Sequence, residues 1–211
     1  MEVSLPEDKT KKKFRFDRPF YTLLLTNLFV IVLALVQSWE IGFLMWIYWG
    51  QSVSIGFFNF IKMRNLKNFT TRGVKVNRRP VEPTPKTQRS MSFFFAFHYG
   101  FFHFGYFLFL TAFFGLIPLK SPEVLLCIIF FFVNHGISLF SHWKEETETP
   151  QNIGRVMGFP YARILPMHLT IIFGNVMAKQ ASALVFFLLL KTLADIVMHL
   201  AEHAVPVKKE I

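Results

Sequence analysis

The chain has 211 residues, 53% hydrophobic, 18% aromatic and only 17% charged, more apolar than one soluble core of this length requires. A water-soluble globular domain is therefore a poor fit, and a lipid bilayer is the natural solvent and first partner. The formal charge of +10 would suit a nucleic-acid binder, but Lys and Arg sit in tails and loops between long apolar runs. That distribution reads as membrane topology, and no nucleic-acid partner is expected.

Residues 1–19 form a basic tail that contains Lys11, Lys12, Lys13 and Arg15. The apolar run from Phe20 to Ser38 is too long for a signal-peptide core and lacks a small-residue cleavage site, so it predicts an uncleaved first span. After the turn at Trp39 and Glu40, a second run from Ile41 to Ile61 crosses back, interrupted by Gln51, Ser54 and Asn59. The stretch 62–89 then carries nine Lys or Arg against one acid, Glu82, with Pro80, Pro83 and Pro85. It predicts an extended cytoplasmic loop, able to meet anionic lipid headgroups, although topology alone accounts for its charge.

Four further runs follow, from about Met91 to Leu116, Val124 to Ser141, Tyr161 to Met177 and Ser182 to about His203. Each is near the length that spans a hydrocarbon core. The outer connections are almost uncharged, whereas the N-terminal tail, the 62–89 loop and the 206–211 end are basic. The expected fold class is therefore all-α, a bundle of six transmembrane helices over residues 20–205 with both termini cytoplasmic, in the cell membrane. The Glu145 to Arg155 loop falls on the same side despite its acids. Asn68-Phe69-Thr70 matches a glycosylation sequon but would face the cytoplasm. The lone cysteine, Cys127, has no partner for an intrachain disulfide.

Ionisable groups inside spans are expensive and point to function. His98 and His103 lie on the third span, His135 and His142 on the fourth, His168 on the fifth, and Lys191, Asp195, His199 and His203 on the sixth. At 1.5 Å per residue from the inferred cytoplasmic ends, His98 lies roughly 10–13 Å deep, His135 and His168 about 10 Å, and His199 about 6–8 Å. Four consecutive helices thus bring histidine to one half of the bilayer. On the last helix the residues at 191, 195, 199 and 203 recur every fourth position and share a face, with Lys191 and Asp195 one turn apart and able to neutralise each other. On the fourth, Asn134, Ser138 and His142 make a similar stripe, expected to point inward.

His199-Leu200-Ala201-Glu202-His203 places two imidazoles one turn apart around a carboxylate, the inverted zincin pattern. A catalytic zinc needs about three protein ligands and an open position, which His168, or His98 or His142, would complete. In this reading zinc or another divalent transition metal is held by His199, His203 and His168. Asp195 serves as ligand or orienter, Glu202 as base for metal-bound water, and Lys191 as partner to Asp195 or to a developing oxyanion. His103, on another face among phenylalanines, reads as packing with one satisfied hydrogen bond. The same residues also suit a proton or cation pathway, or structural hydrogen bonding alone.

Tyr48-Trp49-Gly50-Gln51-Ser52-Val53, Gly56-Phe57-Phe58-Asn59, Phe97-His98-Tyr99-Gly100, Pro160-Tyr161-Ala162-Arg163-Ile164, and Lys191-Thr192 with Asp195, His199, Glu202 and His203 follow one another along the chain. Together they resemble a family of prokaryotic multi-pass membrane proteins known as domain of unknown function 6498, over about residues 20–205. The resemblance implies a membrane fold and no particular activity. A looser likeness is to the membrane hydrolases of the ceramidase and progestin-receptor-like superfamily, in which a Ser and His on one span, an Asp on another and a final histidine pair hold zinc. By that likeness Ser138 joins His142, and His199 joins His203. This chain departs from the set in having six spans instead of seven and its Asp195 on the histidine helix. Three functions follow as expectations: a zinc-dependent hydrolase of a lipid-like substrate, a small proton- or cation-coupled transporter or channel, and a non-catalytic scaffold. A homo-oligomer fits each.

Overall fold

The computed structural model describes residues 40–174 and 180–202, Lys12 and Lys13, residues 205 and 206, and scattered positions between 21 and 38. The first expected span and both tails therefore lie mostly outside the described residues. The chain is mostly helical: α1 (Ile41–Asn65), α2 (Pro85–Phe114), α3 (Ile117–Lys120), α4 (Pro122–Ser141), α5 (Trp143–Glu148), α6 (Ile153–Gly158), α7 (Tyr161–Gly174) and α8 (Gln180–Glu202). Among the described residues α1, α2 and α4 are long and apolar enough to cross a membrane.

Local chemistry sets these ends. Thr84 caps α2 by accepting from the Thr87 amide, and Pro85 occupies the first helical position, where its missing N–H costs nothing. Gly115, with φ 71°, stops the same helix. Lys62 and Arg64 fill the last turn of α1, facing the negative end of its dipole. The free carbonyls of Met63 and Leu66 at that end accept from Gln88 Nε2 at 2.9 and 2.8 Å, so α2 caps α1.

The core gathers around α1. Met45, Trp46 and Tyr48 pack with Phe95, Tyr99, Tyr106 and Leu110 of α2, and with Leu184, Phe187 and Leu188 of α8. Small residues let these helices close: a side chain at Gly50 would run into Ile128 of α4, and one at Gly56 into Tyr99. The opposite faces carry Phe97, Phe101 and Phe104 on α2 and Phe130, Ile137 and Phe140 on α4, all exposed. Only 17% of the most apolar window of α4 is buried inside the protein, so its surface is suited to lipid.

The stretch expected as an extended loop is shorter and more ordered than predicted. α1 runs on to Asn65, α2 begins at Pro85, and three short strands lie between them, β2 (Phe69–Thr70), β3 (Lys75–Val76) and β4 (Arg79–Pro80). β3 and β4 form a two-residue hairpin whose turn residues Asn77 and Arg78 both have positive φ, 51° and 65°. β2 pairs in parallel with β5 (Gln151–Asn152), joining this loop to the one after α5. Lys62 and Lys67 reinforce the joint through ion pairs with Glu146 and Glu148. At the chain ends, β1 (Lys12–Lys13) pairs antiparallel with β6 (Val205–Pro206).

Candidate functional site

The polar residues on the buried faces of α1 and α2 meet. Ser52, one turn after Tyr48, is 2% exposed and faces Tyr99 and His103 of α2. Ser52 Oγ lies 2.7 Å from Tyr99 Oη and 2.9 Å from His103 Nε2, and Tyr99 Oη also donates to the Ser52 carbonyl at 3.0 Å. His103 Nδ1 lies 2.9 Å from the Tyr99 carbonyl, which can only accept, so Nδ1 is the donor. A neutral ring then accepts at Nε2 from Ser52, whose oxygen shares the single Tyr99 hydroxyl proton with the Ser52 carbonyl. Tyr99–Ser52–His103 is thus a continuous, directional hydrogen-bond chain between two helices. The ring of Tyr99 stacks on His103 at 4.2 Å, and Trp49 Nε1 donates to the His103 carbonyl at 2.9 Å.

Two more histidines pair with tyrosines across helices. His98 Nδ1 lies 2.8 Å from Tyr161 Oη, joining α2 to the start of α7, and Tyr106 Oη lies 3.2 Å from His168 Nδ1, joining the same helices further along. On α8 Lys191 Nζ donates to Asp195 Oδ2 at 2.7 Å, the expected one-turn pair, with the carboxylate side chain 11% exposed.

Arg163 stands in the first turn of α7. Its charge lies within electrostatic reach of Tyr48 on α1, Tyr99 on α2 and His135 on α4, and Tyr48 also feels Asp195. Arg163 Nε, Tyr48 Oη and His135 Nε2 are all buried without a hydrogen-bond partner among the described residues. Each such atom carries a desolvation cost of about 1–3 kcal/mol.

The expected metal set lies only partly among the described residues. His142 is exposed at the end of α4, with Nδ1 bonded to the Ser138 carbonyl at 3.1 Å, and Ser138 and Asn134 are exposed too. Their stripe therefore faces away from the bundle, correcting the inward orientation expected for it. The reason is packing: Gly136 and Leu139 fill the contact with α1, where Phe58 occupies the space a larger residue at 136 would need. Among the described residues no group of three or more His, Cys, Asp or Glu could hold a metal ion. His199 and Glu202 lie on α8, but their side chains, and all of His203, fall outside the described residues.

Sequence reasoning missed Arg163, Tyr48, Ser52, Tyr99, Tyr106 and Tyr161. A signal was present. Tyr99, His103 and Tyr106 follow the i, i+4, i+7 spacing of one helix face, and Arg163 is an ionisable residue within an apolar run.

Between the end of α1, α5 and α6, a cleft of about 430 Å³ is lined by Ile55, Asn59, Lys62, Glu146, Phe159 and Pro160, among others. A second, apolar cavity of about 220 Å³ lies between α1 and α2, against Gly56, Tyr99 and His103.

Among known proteins, one family model matches nearly the whole chain, over residues 9–211, so the chain belongs to that family, described as a family of unknown function (DUF6498). No curated protein and no solved structure matches it.

Proposed function

Because this family carries no assigned activity, we propose from the site itself that the chain is a small six-span transporter of the cell membrane, with a proton-conducting polar track between α1 and α2. The carrying observation is the hydrogen-bonded chain of Ser52 on α1 with Tyr99 and His103 on α2, with Ser92 and Tyr106 further along the buried residues of α2. From Ser92 to Tyr106 the helix rises about 21 Å, most of the roughly 30 Å hydrocarbon core. A site confined to one leaflet would need no such length. Hydroxyl and imidazole groups hand protons on, and chains of this kind mark proton relays in membranes.

Six spans and cytoplasmic termini are part of this reading. α8 adds about 34 Å of helix to the three long apolar helices, and α7 begins on the side where the basic loop lies. The pairing of Lys12–Lys13 with Val205–Pro206 supports a common side for the two ends. The transporter reading is preferred to a zinc-dependent hydrolase because it rests on hydrogen bonds between described side chains, whereas His142, one candidate third ligand, faces outward.

The test is proton flux into proteoliposomes holding a pH-sensitive dye, driven by a potassium diffusion potential. Wild type should exceed empty liposomes, and Ser52→Ala, which removes the middle of the chain, should return the rate to the empty level. Wild-type flux no faster than that of empty liposomes overturns the proposal.

A further inference from the structure

The 220 Å³ cavity between α1 and α2 belongs to a groove that residue spacing carries along both helices. On α1, Val53, Phe57 and Phe60 line it and Arg64 follows at the next turn, an i, i+4, i+7, i+11 series that keeps to one face. On α2, Ala96 and Gly100 line it, and Arg89 and Phe93 precede them in the same kind of series. Contacts join the two series: Phe60 and Phe93 pack with ring centroids 5.6 Å apart, and the Arg64 guanidinium lies over the Phe93 ring at 5.6 Å. Gln88 bonds to the carbonyls of Met63 and Leu66, so Arg64 and Arg89 each stand next to a residue of that one junction.

The two ends of the groove differ in chemistry. The end beside the basic loop carries two arginines, Arg64 half-buried and Arg89 exposed. The rest is apolar, with Phe57, Phe93 and Gly100 exposed along it. Nothing lies within 4 Å of a Cβ built at Gly100, so the space there is open. Arg64 and Val53, like Arg89 and Gly100, stand eleven positions apart, about 16 Å of helix and close to half of the roughly 30 Å hydrocarbon core. The groove is thus one leaflet long, apolar along its length and cationic at its headgroup end. At 220 Å³ the cavity falls below the roughly 300–1,000 Å³ of pockets for drug-sized ligands, a size suited to a segment of one extended chain.

We propose that this groove binds one anionic phospholipid of the surrounding leaflet, its phosphate on Arg64 and Arg89 and an acyl chain laid along Phe60, Phe57 and Gly100. Guanidinium meets phosphate through a planar fork, and each basic side chain beside an anionic headgroup adds about a fivefold preference. This is more than a general attraction of the basic loop to charged lipid, since two named arginines and a shaped apolar surface select one molecule. The site does not rest on the transport reading, because a lipid held here needs no proton flux.

The experiment is native mass spectrometry of the full chain, released from detergent micelles that hold equal amounts of phosphatidylglycerol and phosphatidylcholine with the same acyl chains. One phosphatidylglycerol per chain should be retained in preference to phosphatidylcholine. The Arg64→Gln, Arg89→Gln double variant should lower that retention about tenfold or more. A double Arg78→Gln, Arg79→Gln variant, which removes the same charge from the exposed hairpin, should leave it intact. Gly100→Leu, whose Cβ meets nothing, fills the groove and should lower retention of both lipids severalfold. Ala96→Leu, which also narrows the groove, serves if that variant does not fold. Equal retention of the two lipids by wild type, equal loss in the two arginine variants, or unchanged retention once the groove is filled each overturns the proposal. A lipid-free dimer that Gly100→Leu splits assigns the groove to a second copy of the chain and overturns it as well.

Discussion

Gly56→Ala probes the contact that holds the α1–α2 track together. A Cβ at this position would stand 2.7 Å from Tyr99 Cδ1 and closer still to Cε1, against a carbon–carbon optimum of about 3.5–4.0 Å. Tyr99 cannot simply swing aside, since its hydroxyl is fixed to Ser52 on the same helix that carries the new methyl group. Either the helices part or the ring turns and gives up those hydrogen bonds. Overpacking costs about 1–3 kcal/mol and the lost hydrogen bonds about 1–2 kcal/mol more, while alanine's better helix propensity returns about 0.5–1 kcal/mol. The expected net destabilisation is about 3 kcal/mol. Gly100→Ala is the control, because nothing lies within 4 Å of a Cβ there, and it should be neutral or slightly stabilising. Unfolding midpoints in mixed detergent–SDS micelles measure both. Equal stability of the two variants would refute the reasoning, as would a double variant of Gly56→Ala with Tyr99→Ala whose effects add to within about 0.5 kcal/mol.

Lys191→Met should destabilise the same assay by about 3 kcal/mol, the lower end for a broken buried pair because Lys191 keeps partial exposure, and adding Asp195→Leu should recover most of that loss. Additivity of the two substitutions would show that they do not act as a pair. In the exposed loop, the hydrogen bond from Lys67, and then its charge, hold the Glu148 carboxyl below the usual carboxylate range. A lowered folded-state value means the pair contributes above the unfolded value and is lost as pH falls through the folded one. Lys67→Ala should move the Glu148 titration, followed by carboxyl-carbon NMR, up toward the ordinary value; an unmoved titration would refute the assignment.

Hydropathy and charge made the long apolar helices legible, because run length and the placement of Lys and Arg are properties of the sequence itself. The Lys191–Asp195 pair was legible for the same reason, since one-turn spacing on a single helix needs no knowledge of neighbours. Facing was not. Asn134, Ser138 and His142 share a helix face, but which way that face turns depends on Gly136 accepting Phe58 from another helix. His103 reads from the sequence as packing with one satisfied hydrogen bond, and that its ring meets Ser52 is visible only once α1 lies against α2. The hairpin in the basic loop escaped notice because its turn, Asn77-Arg78, lacks the glycine that usually marks such turns, and arginine there adopts φ 65°.

The parallel pairing of Phe69–Thr70 with Gln151–Asn152 bears on how the protein is made. During synthesis the segment after α1 emerges long before its strand partner, and both α2 and α4 must leave the ribosome in between. The loop therefore cannot take its final shape while the early helices are being made. Lys67 and Asn68, whose backbone and side chains reach Thr147, Glu148 and Gln151, would wait with their bonds to water until the second loop arrives. Closure of that joint is then a late step that follows synthesis of α4, and it draws the start of α7, with Arg163, toward helices already made.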